Sequence, residues 1–143
     1  MSEEHKKKRV LILCTGNSAR SQMGEGLLRH LAGNRFEVLS AGTCATFVRP
    51  QAIEVMSEIG IDISRHRSKS LDEFLDTPLD YVITVCDHAN QRCPLFPGPA
   101  TRLHWSVDDP VINGSEDEQL DAFRRARNDL HSRIRQFLEQ NKP

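Results

Sequence analysis

No apolar run in this chain of 143 residues approaches the roughly 20 residues that cross a bilayer. The charged opening, EEHKKK at 3–8, is not followed by the apolar core and cleavage pattern of a signal peptide. A cytoplasmic protein with no membrane partner is therefore expected. The net charge is only −1, so no global basic field invites nucleic acid, and basic and aromatic residues do not interleave as on an RNA-binding surface. Lys6, Lys7, Lys8 and Arg9 read as a solvated lead-in to a strand. There is no nucleotide fingerprint, repeat, low-complexity tract or linker. His30, His66, His88, His104 and His131 show no metal-ligand spacing with the cysteines, so neither a metal nor a bound cofactor is expected. The cysteines are few: Cys14, Cys44, Cys86 and Cys93. In a reducing compartment they do not make a disulfide framework, which leaves reactive chemistry or plain burial.

What is present is an ordinary globular composition, 38% hydrophobic and 27% charged, long enough for one domain over residues 1–143. Apolar strands and amphipathic helices alternate. RVLILC (9–14) is a buried strand and SQMGEGLLRHLAG a helix stopped by Gly33. FEVLSAG (36–42) and RPQAIEVMSEIG (49–60) repeat the pattern, the second helix ending at Gly60. Ser70 caps a short helix or turn over 70–77. YVITVC (81–86) and TRLHWSV (101–107) are further strands. A long helix over 116–140 carries the stripe Leu120, Phe123, Leu130, Ile134 and Phe137. Such alternation predicts an α/β fold around a mainly parallel sheet, with ligands bound at the carboxyl ends of the strands. Cys14, Cys86 and the turn at Asp108, Asp109 and Pro110 all fall at that end.

The stretch CTGNSARSQ (14–22) joins the first strand to the first helix. A loop there directs successive backbone N–H groups inward, with Gly16 expected to supply the unusual torsions. Residues Thr15, Gly16, Asn17, Ser18, Ala19, Arg20 and Ser21 then form a cradle for a tetrahedral oxyanion at a helix N-terminus. Arg20 adds a planar fork of donors. The same field is expected to lower the Cys14 pKa and make it a nucleophile. Ser21 is a candidate donor to the thiolate, and Asn17 a tie within the loop.

The segment VLILCTGNSARSQMGEG (10–26) resembles the signature of the low-molecular-weight tyrosine phosphatase superfamily, over nearly the whole chain. Within it the chain is most similar to the thioredoxin-coupled arsenate reductases, through SAGT (40–43), GIDIS (60–64), VITVCDHANQRCP (82–94) and HWSVDDP (104–110). The resemblance implies a low-molecular-weight phosphatase-like fold, a four-stranded sheet with helices on both faces. It implies arsenate as substrate, with phosphate or sulfate as mimics, thioredoxin as partner and a monomer. A phosphatase needs one cysteine; reducing arsenate to arsenite needs two electrons, which two thiols supply by becoming a disulfide. By resemblance, Cys14 attacks arsenic, Cys86 attacks Cys14 and releases arsenite, and Cys93 attacks Cys86. The resulting Cys86–Cys93 disulfide is left for thioredoxin. Seven residues of helix span roughly 10 Å, but disulfide Cα atoms lie within about 7 Å, so DHANQRC is expected to be looped or to unwind on oxidation.

Also by resemblance, Asp109 is the acid that protonates a departing oxygen. Pro110 restricts Asp109 to extended conformations and so fixes its aim; Asp108 is the alternative acid. The competing reading is a phosphatase hydrolysing aryl phosphates through a Cys14 phosphocysteine. That reaction wants an aromatic-lined slot, for which Phe47 is the best candidate. A glutaredoxin couple is the alternative electron donor, and the pair Cys86 and Cys93 favours thioredoxin. Ala19 stands where the family often has cysteine, outside the three redox positions. Arg67 and Lys69 stand where some relatives carry threonine and aspartate, the aspartate helping to bind potassium. Lys69 either puts its ammonium near Asn17, Glu25 and Ser40 or, like Arg67, faces solvent. Cys44 is given no role, and Trp105 is read as core.

Overall fold

The computed structural model describes residues 7–87 and 98–142. Four strands, β1 (Lys8–Cys14), β2 (Phe36–Gly42), β3 (Tyr81–Thr84) and β4 (Thr101–His104), form one sheet in the order β2-β1-β3-β4. All three pairings are parallel. The central position of β1 explains its unbroken aliphatic run: Val10, Leu11, Ile12 and Leu13 are all fully buried, so neither face tolerates a polar residue. Among the described residues three α-helices accompany the sheet: α1 (Arg20–Ala32), α2 (Pro50–Ser57) and α3 (Glu116–Gln140). Among the described residues no helix is long and apolar enough to cross a membrane.

Helix α3 starts in a capping box. The Ser115 hydroxyl accepts from the Glu118 N–H (3.1 Å), and the Glu118 carboxylate accepts from the Ser115 N–H (2.9 Å). Its predicted stripe is buried throughout, and Phe137 meets Phe36, Tyr81 and Trp105 edge-on or tilted. Trp105 is thus a core-packing residue, as expected. Helix α2 ends as the sequence predicts: Gly60 takes a left-handed φ of 79° and the Ile61 N–H returns to the Met56 carbonyl (3.0 Å). Arg124 and Arg127 on α3 both grip Glu58 at that end, at 2.7 and 2.8 Å. The guanidiniums of Arg124 and then Arg127 hold the Glu58 carboxyl at about 2.

Two strands are shorter than their apolar runs predict. The Val85 N–H still bonds Leu13 (2.9 Å) and the Trp105 N–H bonds Thr84 (2.8 Å). Past these points β3 and β4 lose each other as partners, so Cys86 and Val107 lie on loops above the sheet. The short helix over Leu71–Phe74 is of the 3₁₀ type, with Ser70 capping it as expected.

Candidate active site

Residues 14–19 climb from the end of β1 to the start of α1, and four of their carbonyls are engaged by the segment 43–49. The Cys14 carbonyl accepts from the Thr43 N–H (3.2 Å), that of Thr15 from Cys44 (2.8 Å), that of Gly16 from Thr46 (3.0 Å) and that of Ser18 from Arg49 (2.8 Å). In a trans peptide the following N–H points opposite to the carbonyl, so the N–H groups of Thr15, Gly16, Asn17 and Ala19 turn inward. Ala19 stands at the N-cap of α1 and no side chain caps that helix, which leaves its first turn facing the same hollow. Four N–H groups and the start of α1 thus face one hollow.

Its torsional demand lies elsewhere than expected. The left-handed residue is Asn17, at φ 47°, not Gly16; asparagine tolerates that region better than most residues. Gly16 is needed for room, because a Cβ there would sit 3.2 Å from the Thr46 hydroxyl. A second glycine, Gly42, is a backbone requirement that sequence spacing does not reveal. A Cβ on it would fall 2.5 Å from the Thr15 carbonyl and 2.8 Å from the Asn17 nitrogen, so the loop rests directly on bare backbone. The SAGT segment was the available signal.

Asn17 is fully buried and ties the loop to three elements. Its amide donates to Ser21 (2.8 Å) and Ser40 (3.0 Å), and its oxygen accepts from Gln22 (2.9 Å) and the Lys69 N–H (2.8 Å). Ser21 thus gives its oxygen to Asn17, a contact other than the bond to the Cys14 sulfur expected of it. Beneath lies a buried ionic cluster. Glu25 accepts from Ser40 (2.5 Å) and from Arg29 (2.6 Å), with the Lys69 ammonium at 3.6 Å. His66 bonds Gln22 (2.9 Å). Lys69 is therefore half-buried with its ammonium at Glu25, while Arg67 faces solvent and pairs with Glu73. Burial pushes the Glu25 carboxyl up, but the Ser40 bond and the charges of Lys69, His66 and Arg29 outweigh it, and the net direction is down. Gln22 and His66 were not singled out, because a lone amide and a lone histidine carry no motif.

A cleft of about 600 Å³ opens above the loop, lined by Thr15, Arg20, Cys86, Asp87, Asp108 and Asp109 among others. Arg20 donates to the Val107 carbonyl (2.9 Å) and stands 3.9 Å from the Asp109 carboxylate. Asp109 also accepts from the Val111 N–H (3.0 Å), an Asx turn across Pro110 that aims it. Cys86 is buried, its sulfur 3.2 Å from the Thr15 hydroxyl. The structure thus brings Arg20, Cys86 and Asp109 to one cleft, with the buried Cys14 hydrogen-bonded to Cys86. Cys93 and His88 lie outside the described residues. Cys44 is exposed, its N–H on the Thr15 carbonyl.

One electrostatic expectation is overturned. The Cys14 thiol is pushed well up, first by its hydrogen bond with Cys86 and second by burial. Arg20 and the Thr15 N–H act in the lowering direction, as foreseen, but are outweighed. Two adjacent sulfurs share a proton more readily than they give up both, so the pair holds on to one. The sequence could not show this, because the proximity of residues 72 positions apart is a product of the fold.

Comparison with known proteins agrees with the geometry. Residues 9–142 match the model of the family described as low molecular weight phosphotyrosine protein phosphatase. An arsenate reductase of Halalkalibacterium halodurans is 44% identical over 137 residues, 95% of this chain and 99% of that protein. One from Bacillus subtilis is 40% identical over 136 residues, 94% of this chain and 98% of its own length. A solved arsenate reductase in the phosphate binding state superposes with a TM-score of 0.80 at 31% identity, covering 94% and 99% of the two chains. A thioredoxin-dependent arsenate reductase of Corynebacterium glutamicum gives 0.71 at 31% identity, covering 94% of this chain and 61% of that one. A low molecular weight protein tyrosine phosphatase from T. tengcongensis gives 0.78 at 29% identity, covering 94% and 100%. With its inward-facing loop, its arginine and its cysteine at the end of β1, this chain belongs to the low molecular weight phosphotyrosine protein phosphatase family.

Proposed function

We propose that the protein is a cytoplasmic, monomeric arsenate reductase regenerated by thioredoxin. The observation that carries this reading is the second buried thiol: Cys86 lines the cleft beside Arg20 and Asp109, hydrogen-bonds the Cys14 thiol and contacts the anion loop through Thr15. Hydrolysis has no use for a thiol there, whereas reduction needs two electrons, and a second sulfur beside the nucleophile supplies them. The relatives of 40–44% identity are arsenate reductases, and one structural neighbour is thioredoxin-dependent.

The proposed steps are these. Arsenate enters the cradle of N–H groups and is clamped by Arg20. Cys14 passes its thiol proton to a bound arsenate oxygen as its sulfur attacks arsenic, and the displaced oxygen leaves as water with that proton and a second one from Asp109. Cys86 then attacks the Cys14 sulfur. An S–S bond forms and the S–As bond breaks with its electron pair kept by arsenic, which falls from As(V) to As(III) and leaves as arsenite. Cys93 attacks Cys86, freeing Cys14 as a thiolate, and a thioredoxin dithiol reduces the Cys86–Cys93 disulfide. The proton shared between Cys14 and Cys86 keeps the resting site from reacting as a free thiolate.

Aryl phosphate hydrolysis is a side reaction of the same cradle. Phe47 is exposed, its ring 5.1 Å under the Arg49 guanidinium, and the Arg49 N–H holds the Ser18 carbonyl of the loop. The test is arsenite production with thioredoxin, thioredoxin reductase and NADPH, run beside an aryl phosphate assay. Cys14→Ser abolishes both activities; Cys86→Ser and Cys93→Ser remove arsenate turnover and spare hydrolysis. Normal arsenate turnover by both of the latter variants overturns the scheme.

A further inference from the structure

His104 reaches the chain on both sides of the buried Cys86. β3 and β4 pair in register at Thr84 and His104. From there the imidazole Nδ1 lies 2.8 Å from the Thr84 hydroxyl, two residues before Cys86, and Nε2 lies 2.9 Å from the carboxylate of Asp87, one residue after it. Ser106 donates to the same Asp87 oxygen (3.1 Å). A carboxylate only accepts, so Nε2 must carry a proton, and Nδ1 is left to accept from the Thr84 hydroxyl or, in the imidazolium, to donate to it. The Asp87 carboxyl is held below its usual range by His104 first and Ser106 second. The mechanism above uses none of these groups.

From this bracketing we infer that His104 is a positioning residue for the resolving thiol, holding Cys86 at the wall of the cleft where it can attack Cys14. The inference rests on the arsenate reductase reading. The step served is the second one above: the Cys86 sulfur bonds the Cys14 sulfur, the S–As pair of electrons stays on arsenic, and the Cys86 proton leaves to solvent. Attack on a sulfur requires in-line approach, so a thiol whose flanking residues are clamped reacts faster than one on a loose loop. Both partners are partly exposed, the side chains of His104 and Asp87 being 28% and 75% accessible, so the contribution is moderate.

The experiment compares wild type, His104→Ala and His104→Gln in three readings: arsenite released in a single turnover without thioredoxin, affinity for inorganic phosphate, and alkylation of Cys86 followed by peptide mass spectrometry. His104→Ala slows arsenite release roughly fivefold with unchanged arsenate KM, speeds Cys86 alkylation, and leaves phosphate affinity at the wild-type value. His104→Gln, whose amide still donates to Asp87, recovers most of the rate. Wild-type arsenite release by His104→Ala overturns the inference. So does a parallel loss of phosphate affinity, which would make His104 a prop for the whole site. Absence of arsenite from the wild type itself would instead strike the arsenate reductase reading.

Discussion

On one side of the cleft, each carbonyl from Cys14 to Gly16, and that of Ser18, is bonded to the segment 43–49, with Ser68 adding a second bond to Gly16. On the other side, Asp109 is aimed by one backbone N–H and by Arg20 at 3.9 Å, and Asp87 by His104 and Ser106. The first wall stands on the parallel sheet and on a buried ionic cluster; the second stands on loops past the ends of β3 and β4. The difference maps onto chemistry. An anion cradle works by being organised before the anion arrives, which demands that every peptide unit be held. A resolving thiol and an acid must instead meet a group that changes during the reaction, and they are held by replaceable side-chain contacts.

The largest effect is expected on the lightly held wall. Asp109→Asn lowers kcat by roughly two to four orders of magnitude, the usual contribution of a positioned acid, while Asp108→Asn has a small effect. Equal losses in the two variants would erase the distinction between the aimed carboxylate and its neighbour.

On the braced wall, Gly42→Ala drives a methyl into the Thr15 carbonyl and the Asn17 nitrogen. The loop has to shift, and calorimetry with inorganic phosphate should show affinity lowered by more than about tenfold, a misplacement of a hydrogen-bonded charge site. Phosphate affinity within twofold of wild type would mean that the loop is not held by its contact with β2.

The two walls meet at the sulfurs. Since the hydrogen bond with Cys86 is the largest influence raising the Cys14 thiol, Cys86→Ser should lower the Cys14 pKa, leaving Arg20 and the Thr15 N–H to act with less opposition. The thiolate absorbance at 240 nm, titrated in both proteins, reads this directly; an unchanged or higher pKa contradicts the shared-proton account.

The smallest effect on turnover belongs beneath the cradle. Lys69→Met removes one of the charges that hold the Glu25 carboxyl down. A depressed carboxyl stabilises the fold above its unfolded pKa of about 4.5, and that stabilisation is lost as pH falls through the folded value. With Lys69 gone the folded value rises, so acid unfolding should begin at higher pH, followed by circular dichroism. Because the Lys69 ammonium already supplies a cation at Glu25, wild-type activity should be equal in potassium and sodium at matched ionic strength. A potassium-specific rise would show that the cation place is not filled by Lys69.

Much of this arrangement was legible in the residues. The run RVLILC could only be a strand buried on both faces, and the stop at Gly60 followed from helix-ending chemistry. The cradle was visible because its spacing is local, seven residues from cysteine to arginine. What escaped reading depends on contacts between distant positions. The positive φ fell on Asn17 because its side chain has partners on α1, on β2 and at residue 69, none of which spacing reveals. Gly42 matters through the loop lying on it, and the pKa of Cys14 through a neighbour from another strand. β3 and β4 ended early because pairing requires a partner, whereas an apolar run records only burial. The identity of the cation at Glu25, Lys69 rather than Arg67, was decided by packing that the alternating sequence SRHRSKS does not encode.

The central claim is that Cys14 binds the substrate while Cys86 and Cys93 supply the electrons. It is tested most directly by mixing fully reduced protein with arsenate in the absence of thioredoxin, then alkylating, digesting and mapping the disulfides while arsenite is counted. The account predicts one arsenite per chain, a Cys86–Cys93 disulfide and a free, alkylated Cys14. Arsenite release with both Cys86 and Cys93 still alkylatable, or no arsenite at all, would contradict it.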